Sequence, residues 1–214
     1  MTLKTRKRDD RRITLNRIEI CGGIASGKTT LARVMRRAGH HAVFENFRLN
    51  PFIKNFYSNP ELYSFETEIS FLLQHYSQIK SETLRKANFI CDYSLCLDSS
   101  YAHVTLSPSH LQIFKALHAT VSGELGPPTL LVHLRCSSRT ELERIRRRRR
   151  TMENAISIQY LDGINYALDE HVSRATRTSK ILEIDSEKLD FAHESVAQVE
   201  VVKLIASALP PPIG

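Results

Sequence analysis

Gly22-Gly23-Ile24-Ala25-Ser26-Gly27-Lys28-Thr29 matches the pattern G-x-x-x-x-G-K-[ST] without a gap. Each position has a physical task. The glycines let the backbone curl so that its N–H groups point at phosphate oxygens. Lys28 is placed to reach the β and γ phosphates, and the Thr29 hydroxyl suits Mg²⁺. The flanks agree: residues 17–21 (RIEIC) read as a short strand entering the loop, and residues 30–38, with Leu31, Ala32, Val34, Met35 and Ala38, read as a helix leaving it. The N-terminus of that helix adds a positive dipole end beside Thr30. Residues 22–30 are therefore expected to cradle the phosphates of a nucleotide.

A chain of 214 residues can bury a core and most simply forms one domain. Apolar residues make up 42% and charged residues 25%, ordinary for a globular protein. No apolar run approaches the roughly 20 residues that span a bilayer. The charged N-terminal residues are followed by no apolar signal core, so a cytoplasmic location is expected. Cys21, Cys91, Cys96 and Cys136 form no C-x-x-C pair, and the 9 histidines show no metal-ligand spacing. Buried free thiols and no structural zinc are the expectation. The net charge of +7 is concentrated in the N-terminal tail and in residues 144–150. Such a run serves either nucleic acid or the phosphates of a small substrate.

Strand-like runs at 17–21, 42–45, 89–92, 130–134 and 181–185 alternate with helical segments. Short apolar strands suit a parallel sheet covered on both faces, hence an α/β domain. Ligands bind such sheets at the carboxyl ends of strands, which brings Glu45 and Asp92 beside the phosphate loop. Residues 1–15 read as a basic, disordered tail, 16–209 as one domain and 210–214 as a loose end. The last helix is expected over 191–209. A long helix is expected from Pro60, capped by Asn59, with Leu62, Phe65, Ile69, Leu72, Leu73, Tyr76 and Ile79 forming its apolar stripe. Glu68 and His75 fall near one edge of that stripe, where they either reach water or face a pocket.

From about Arg17 to Ile205 the chain resembles the deoxynucleoside kinases, most closely the bacterial deoxyadenosine/deoxyguanosine kinase branch. The likeness rests on separate blocks in order: Glu45-Asn46-Phe47 with Asn50-Pro51-Phe52 and Phe56 to Pro60, Phe65 to Glu68 with Phe71-Leu72, and Asp92-Tyr93-Ser94. A lid block follows at Arg144, Ile145, Arg148, Arg150, Glu153, Ile156, Tyr160 and Leu161, and Asp185 with Leu189 to Phe191 completes the set. The resemblance implies a P-loop kinase three-layer sandwich, a five-stranded parallel sheet with an arginine-rich lid at about 144–154. It implies ATP and Mg²⁺, with Glu45 as the base toward a 5′-hydroxyl and Asp92 near the metal with Thr29. It places Arg144, Arg148 and Arg150 over the phosphates, and Asp185, Ser186 and Glu187 at the adenine. Tyr57 and Glu153 would hold the sugar 3′-hydroxyl. A homodimer through helices is also implied. With the arginines so placed, nucleic-acid binding is not expected.

The acceptor side departs from the family pattern. Glu68 stands for a glutamine that pairs with the base; an ionised carboxylate only accepts, which favours a guanine-like edge with adjacent donors. His75 and Tyr93 each stand for an arginine, whereas Asp98 is retained. With less positive charge nearby, Glu68 or Asp98 is expected to show a raised pKa. The leading expectation is a (deoxy)nucleoside 5′-kinase acting on a purine such as deoxyguanosine. A modified nucleoside or other small alcohol is the alternative acceptor, and a catalytically silent nucleotide-binding protein is the alternative from another class.

Overall fold

The computed structural model describes residues 16–210; the two tails expected at the ends lie outside the described residues, apart from Pro210. Five parallel strands form the sheet: β1 (Arg17–Cys21), β2 (Ala42–Val43), β3 (Phe89–Cys91), β4 (Leu130–Arg135) and β5 (Lys180–Asp185), ordered β2-β3-β1-β4-β5. The α-helices are α1 (Lys28–Arg37), α2 (Ile53–Ser58), α3 (Pro60–Leu84), α4 (Leu95–Thr105), α5 (Pro108–Leu125), α6 (Ser138–Arg148), α7 (Ile158–Ala175) and α8 (Ser195–Ala208).

Helices cover both faces, so β1 is buried throughout. Ile18 and Ile20 point into one core with Leu31 and Met35 of α1 and Val201 and Ile205 of α8. The opposite layer is built from α3, α4, α5 and α7 around Leu72, Ile79, Phe114, Leu97 and Leu168. Arg17 and Glu19 point into this second layer, which makes them a buried charge pair with Nε and Oε1 3.0 Å apart. Arg17 also donates to the carbonyl oxygen of Leu125, and Glu19 accepts from the Leu95 N–H that opens α4. Buried charges persist when paired and hydrogen-bonded in this way.

Several boundaries move. Strands β2 and β3 stop at Val43 and Cys91, short of Glu45 and Asp92, which frees both carboxylates from the sheet. Helix α1 starts at Lys28, two residues earlier than expected. Helix α8 starts at Ser195 rather than 191, because Phe191 is buried against the α1 core while Asp190 Oδ1 accepts from Ala192 N–H and His193 N–H in a turn. Asn59 occupies the N-cap of α3 but its side chain makes no cap hydrogen bond. The stripe of α3 is narrower than expected: Leu62 is 66% and Leu73 44% exposed. At 25 residues α3 spans about 37 Å, longer than the layer it covers, and Leu73 lies about 100° around the helix from buried Leu72. Glu68 and His75 lie on the buried stripe itself, with Leu72 and Ile79, rather than at its edge. No helix among the described residues is long and apolar enough to cross a membrane. All four cysteines are free thiols.

Candidate active site

Every strand ends on one edge of the sheet, and a cleft of ≈ 790 Å³ opens there. Its floor is the phosphate loop. Gly22 (φ 151), Ala25 (φ 64) and Gly27 (φ 111) turn the backbone through conformations that side chains disfavour. A Cβ at Gly22 would stand 2.8 Å from the Leu134 carbonyl oxygen and 2.5 Å from Ser26 Oγ. Gly22→Ala is accordingly expected to cost about 1–3 kcal/mol of stability and to abolish nucleotide binding; chemical denaturation and a nucleotide titration check both. The loop is a phosphate cradle in shape, with the buried Ser26 hydroxyl unpartnered among the described residues. Lys28 Nζ donates to the carbonyl oxygens of Gly22 and Gly23 at 2.8 Å. Burial lowers its pKa, opposed by Glu45, Glu141 and Asp92.

The two carboxylates freed from the sheet meet. The Glu45 backbone N–H donates to Asp92 Oδ1 at 2.6 Å. Burial raises the Asp92 pKa against that bond and one from the Thr29 hydroxyl. The Glu45 side chain is one-third exposed to the cleft. Burial pushes its pKa up, but the His75 imidazole, then Lys28 and Arg150, outweigh this and hold it below the usual value.

Elsewhere in the cleft lining, His75 Nδ1 lies 3.0 and 2.9 Å from the two Asp98 oxygens, and Nε2 lies 3.3 Å from Glu45 Oε1. Its ring stacks on Tyr93 at 4.0 Å between centroids and 9° between planes. Burial would lower the imidazole pKa; Asp98 and Glu45 override this and lift it to about 10. Positive charge is thus retained beside Asp98 despite the missing arginines. Glu68 is pushed up to about 8, first by burial and then by the Asp98 charge, and its Oε1 accepts from the Thr105 hydroxyl at 3.2 Å.

The lid arginines divide. Arg144, on α6, donates to the carbonyl oxygens of Ala25 and Ser26 at 3.3 Å and of Ser186 at 2.8 Å. Its fork therefore ties the lid helix to the phosphate loop and to the segment after β5. Arg148 holds buried Glu153 with two 2.6 Å bonds, and Arg150 adds a 3.4 Å contact while lying over the Phe47 ring. Glu153 is paired inside the protein, close to Tyr57, whose pKa is raised to about 12 by burial and then by Glu153. After β5, Asp185 Oδ1 accepts from the backbone N–H groups of Glu187 and Lys188, and Glu187 accepts from Ser137 N–H, shaping a turn at one end of the cleft.

Sequence reasoning missed Glu141 and Asn165. Glu141 is fully buried beneath the loop, and a Cβ on Gly23 would lie 2.1 Å from its Oε1. Burial pushes its pKa to about 7, against the hydrogen bond from Asn165 at 3.1 Å. The one available signal was Glu141 standing one helical turn before Arg144 on the same face. Tyr101, which lines the cleft, carried no motif, and Tyr160, part of the lid block, was given no site role though it lines the cleft as well.

Residues 18–210 match the family model described as Deoxynucleoside kinase. A deoxyguanosine kinase of Bacillus subtilis (strain 168) is 30% identical over 182 residues, covering 81% of this chain and 88% of that protein. A deoxyadenosine kinase of Dictyostelium discoideum is 27% identical, covering 92% and 84%. Among solved structures, a deoxyadenosine kinase from M. mycoides with bound dCTP superposes with a TM-score of 0.77 at 20% identity, covering 90% of this chain and 100% of that one. That likeness concerns the fold, the same three-layer arrangement around a parallel sheet. Because the family match runs from the first strand to beyond the last helix, the chain belongs to the deoxynucleoside kinase family and is a phosphotransferase.

Proposed function

We propose that this chain transfers the γ-phosphoryl group of ATP to the 5′-hydroxyl of a purine deoxynucleoside. One observation carries the reading: Glu45 and Asp92, joined by a 2.6 Å bond, stand at the cleft opposite Lys28. Phosphoryl transfer needs positioning and charge stabilisation more than covalent chemistry. The loop N–H groups and Lys28 hold the donor phosphates, and Arg148 and Arg150 bring positive charge to the lid side. Glu45, ionised at neutral pH, takes the hydroxyl proton as the new O–P bond forms. Asp185, Ser186 and Glu187 bound the donor base, and Tyr57 and Glu153 lie toward the sugar.

Thr29 and Asp92 fit Mg²⁺, being hard oxygen donors already in hydrogen-bond contact. No cluster of three or more His, Cys, Asp or Glu among the described residues forms a protein cage, which suits an ion held mainly by phosphate oxygens and water. When bound, the ion supplies charge neutralisation at the phosphates. The enzyme is further taken to be a cytoplasmic homodimer associated through helices; the free thiols and the family resemblance support this.

A coupled assay against the four common deoxynucleosides tests the reading. ADP release with one of them supports it, and ATP binding without transfer to any acceptor favours a silent protein. Glu68, His75 and Tyr93 favour a second reading, a modified nucleoside as acceptor. Restoration of ordinary deoxynucleoside turnover by the double substitution Glu68→Gln, Tyr93→Arg would support it.

Glu68 also sets a pH signature. With its pKa at about 8, the neutral acid offers one donor and one acceptor, which matches adenine. Above pH 8 the carboxylate only accepts, which matches the N1–H and N2 amine of guanine. Between about pH 6.5 and 9, KM for deoxyadenosine is expected to rise about three- to tenfold and KM for deoxyguanosine to fall. Glu68→Gln should flatten both trends, and steady-state kinetics across that range are the check.

A further inference from the structure

We propose that His75 is a positioning residue for Glu45: anchored by Asp98 and stacked flat on Tyr93, its imidazolium aims and charges the carboxylate that receives the acceptor proton. The inference rests on Glu45 acting as the base.

The anchoring is built from several elements. Helix α3 delivers His75 from its buried stripe, where the ring is 3% exposed. Helix α4 delivers Asp98, and α4 is itself fixed at its start: Ser94 Oγ accepts from Leu97 N–H, and Glu19 accepts from Leu95 N–H. Both Asp98 oxygens lie within 3.0 Å of Nδ1, which commits that nitrogen. Nε2 then has one direction left. It is buried and makes no aligned hydrogen bond among the described residues, and it points at Glu45 Oε1 from 3.3 Å. A small swing of the Glu45 side chain closes that gap, and Glu45, one-third exposed, has room to make it.

Tyr93 explains why a planar cation serves here. Its ring stacks on the imidazole at 4.0 Å and 9°, and Phe71 lies more loosely against it at 5.9 Å and 29°. The stack on Tyr93 fixes the ring plane, hence the direction of Nε2–H. Thus two departures from the family pattern, His75 and Tyr93, form one stacked unit.

The charges facing His75 come from every neighbouring element: Asp98 on α4, Glu45 after β2, Glu68 on α3 and Glu19 on β1. Asp98, with both oxygens within 3.0 Å of Nδ1, keeps the ring doubly protonated through the reaction. The hydroxyl proton goes to Glu45, the new O–P bond forms and the bond from the γ phosphorus to the leaving oxygen breaks. His75 neither gives nor takes a proton.

The test uses the full chain and the best acceptor from the coupled assay. His75→Asn is expected to lower kcat about 10²-fold through misplacement of Glu45. KM for the acceptor should change by no more than about twofold, because the carboxylate is misplaced in the transition state while the ground-state contacts remain. His75→Arg, which keeps a cation aimed at Glu45, should recover most of the lost kcat. A change in KM alone, or no recovery of kcat in His75→Arg, would overturn the proposal and leave a base-contact or structural role. A folding-independent check uses wild type and Glu45→Gln: ¹⁵N NMR should show a doubly protonated His75 ring at about pH 8, titrating about one unit lower in Glu45→Gln. A neutral ring at that pH would equally overturn it. Wild-type turnover with an inert His75→Asn substitution defeats only this inference, whereas a fully active Glu45→Gln defeats the reading of Glu45 beneath it.

Discussion

Glu45→Gln is expected to lower kcat about 10²–10⁴-fold, the range for removing a positioned general base. The substitution is nearly isosteric, and the Glu45 bond to Asp92 runs through the backbone N–H, so the Asp92 contact survives. What disappears is the ability to take a proton. Binding of the nucleotide should change by no more than about twofold, since a loss confined to the transition state lowers kcat and leaves ground-state binding alone. The pH profile provides the second arm. His75, Lys28 and Arg150 hold the Glu45 pKa below its ordinary value of 4.5 despite burial. Its ionised form is therefore present throughout the neutral range and is lost only as pH falls through that lowered pKa. Wild-type kcat should fall on the acid side as pH drops through that lowered value, and this limb should vanish in the glutamine variant. Steady-state kinetics from acid to neutral pH would show this, and a kcat within about threefold of wild type would remove Glu45 from the chemistry.

Lys28→Met separates activity from stability. A loss of about 10²–10³-fold in kcat is expected, the scale for deleting one preorganised charge donor, together with weaker nucleotide binding. Folding stability should stay within about 1 kcal/mol or rise. The reason lies in the direction of the shift: burial lowers the lysine pKa in the folded state. A lysine with a depressed folded pKa binds its proton less readily when folded, so its charge costs stability at neutral pH and that cost fades only as pH rises toward the unfolded pKa. Methionine keeps the unbranched stem and removes the charge. Two hydrogen bonds to Gly22 and Gly23 are lost, which offsets the gain. Calorimetric titration with nucleotide and thermal melting measure the two effects separately. A variant that melts far below wild type would show the ammonium to be a structural pin for the loop.

Much of the donor side was readable in the chain itself, because a phosphate loop is a local object. Glycine positions, the lysine and the strand and helix around them lie within about twenty residues, and local backbone rules decide their shape. The parallel sheet was readable for a similar reason, since each strand is an apolar run covered on both faces. The misses are tertiary. Phe191 looked helical but is drawn into the α1 core, and the α8 helix waits until Ser195. Leu62 and Leu73 looked like stripe residues, yet α3 outreaches its partners. Glu141 and Asn165 are distant in sequence from Gly23 and meet it only through the packing of α6 and α7. The acceptor side was half readable: Glu68, His75 and Tyr93 stood out as departures, but that His75 and Tyr93 stack, and that His75 bridges Asp98 and Glu45, depends on three helical and strand-end segments converging.

The Arg144 fork bears on how this enzyme can change over generations. Beside the Ser186 hydroxyl and the Cys136 thiol, its partners are main-chain carbonyl oxygens of Ala25, Ser26 and Ser186, groups that every amino acid supplies. Side chains around that junction can drift without undoing it. The acceptor end has no such tolerance, because His75, Asp98, Glu45, Glu68 and Thr105 hold one another side chain to side chain. A single replacement there strands a partner, so variation should arrive in matched sets. The molecule thus joins a phosphate-loop junction built largely on main-chain groups to a cluster whose members depend on one another's side chains.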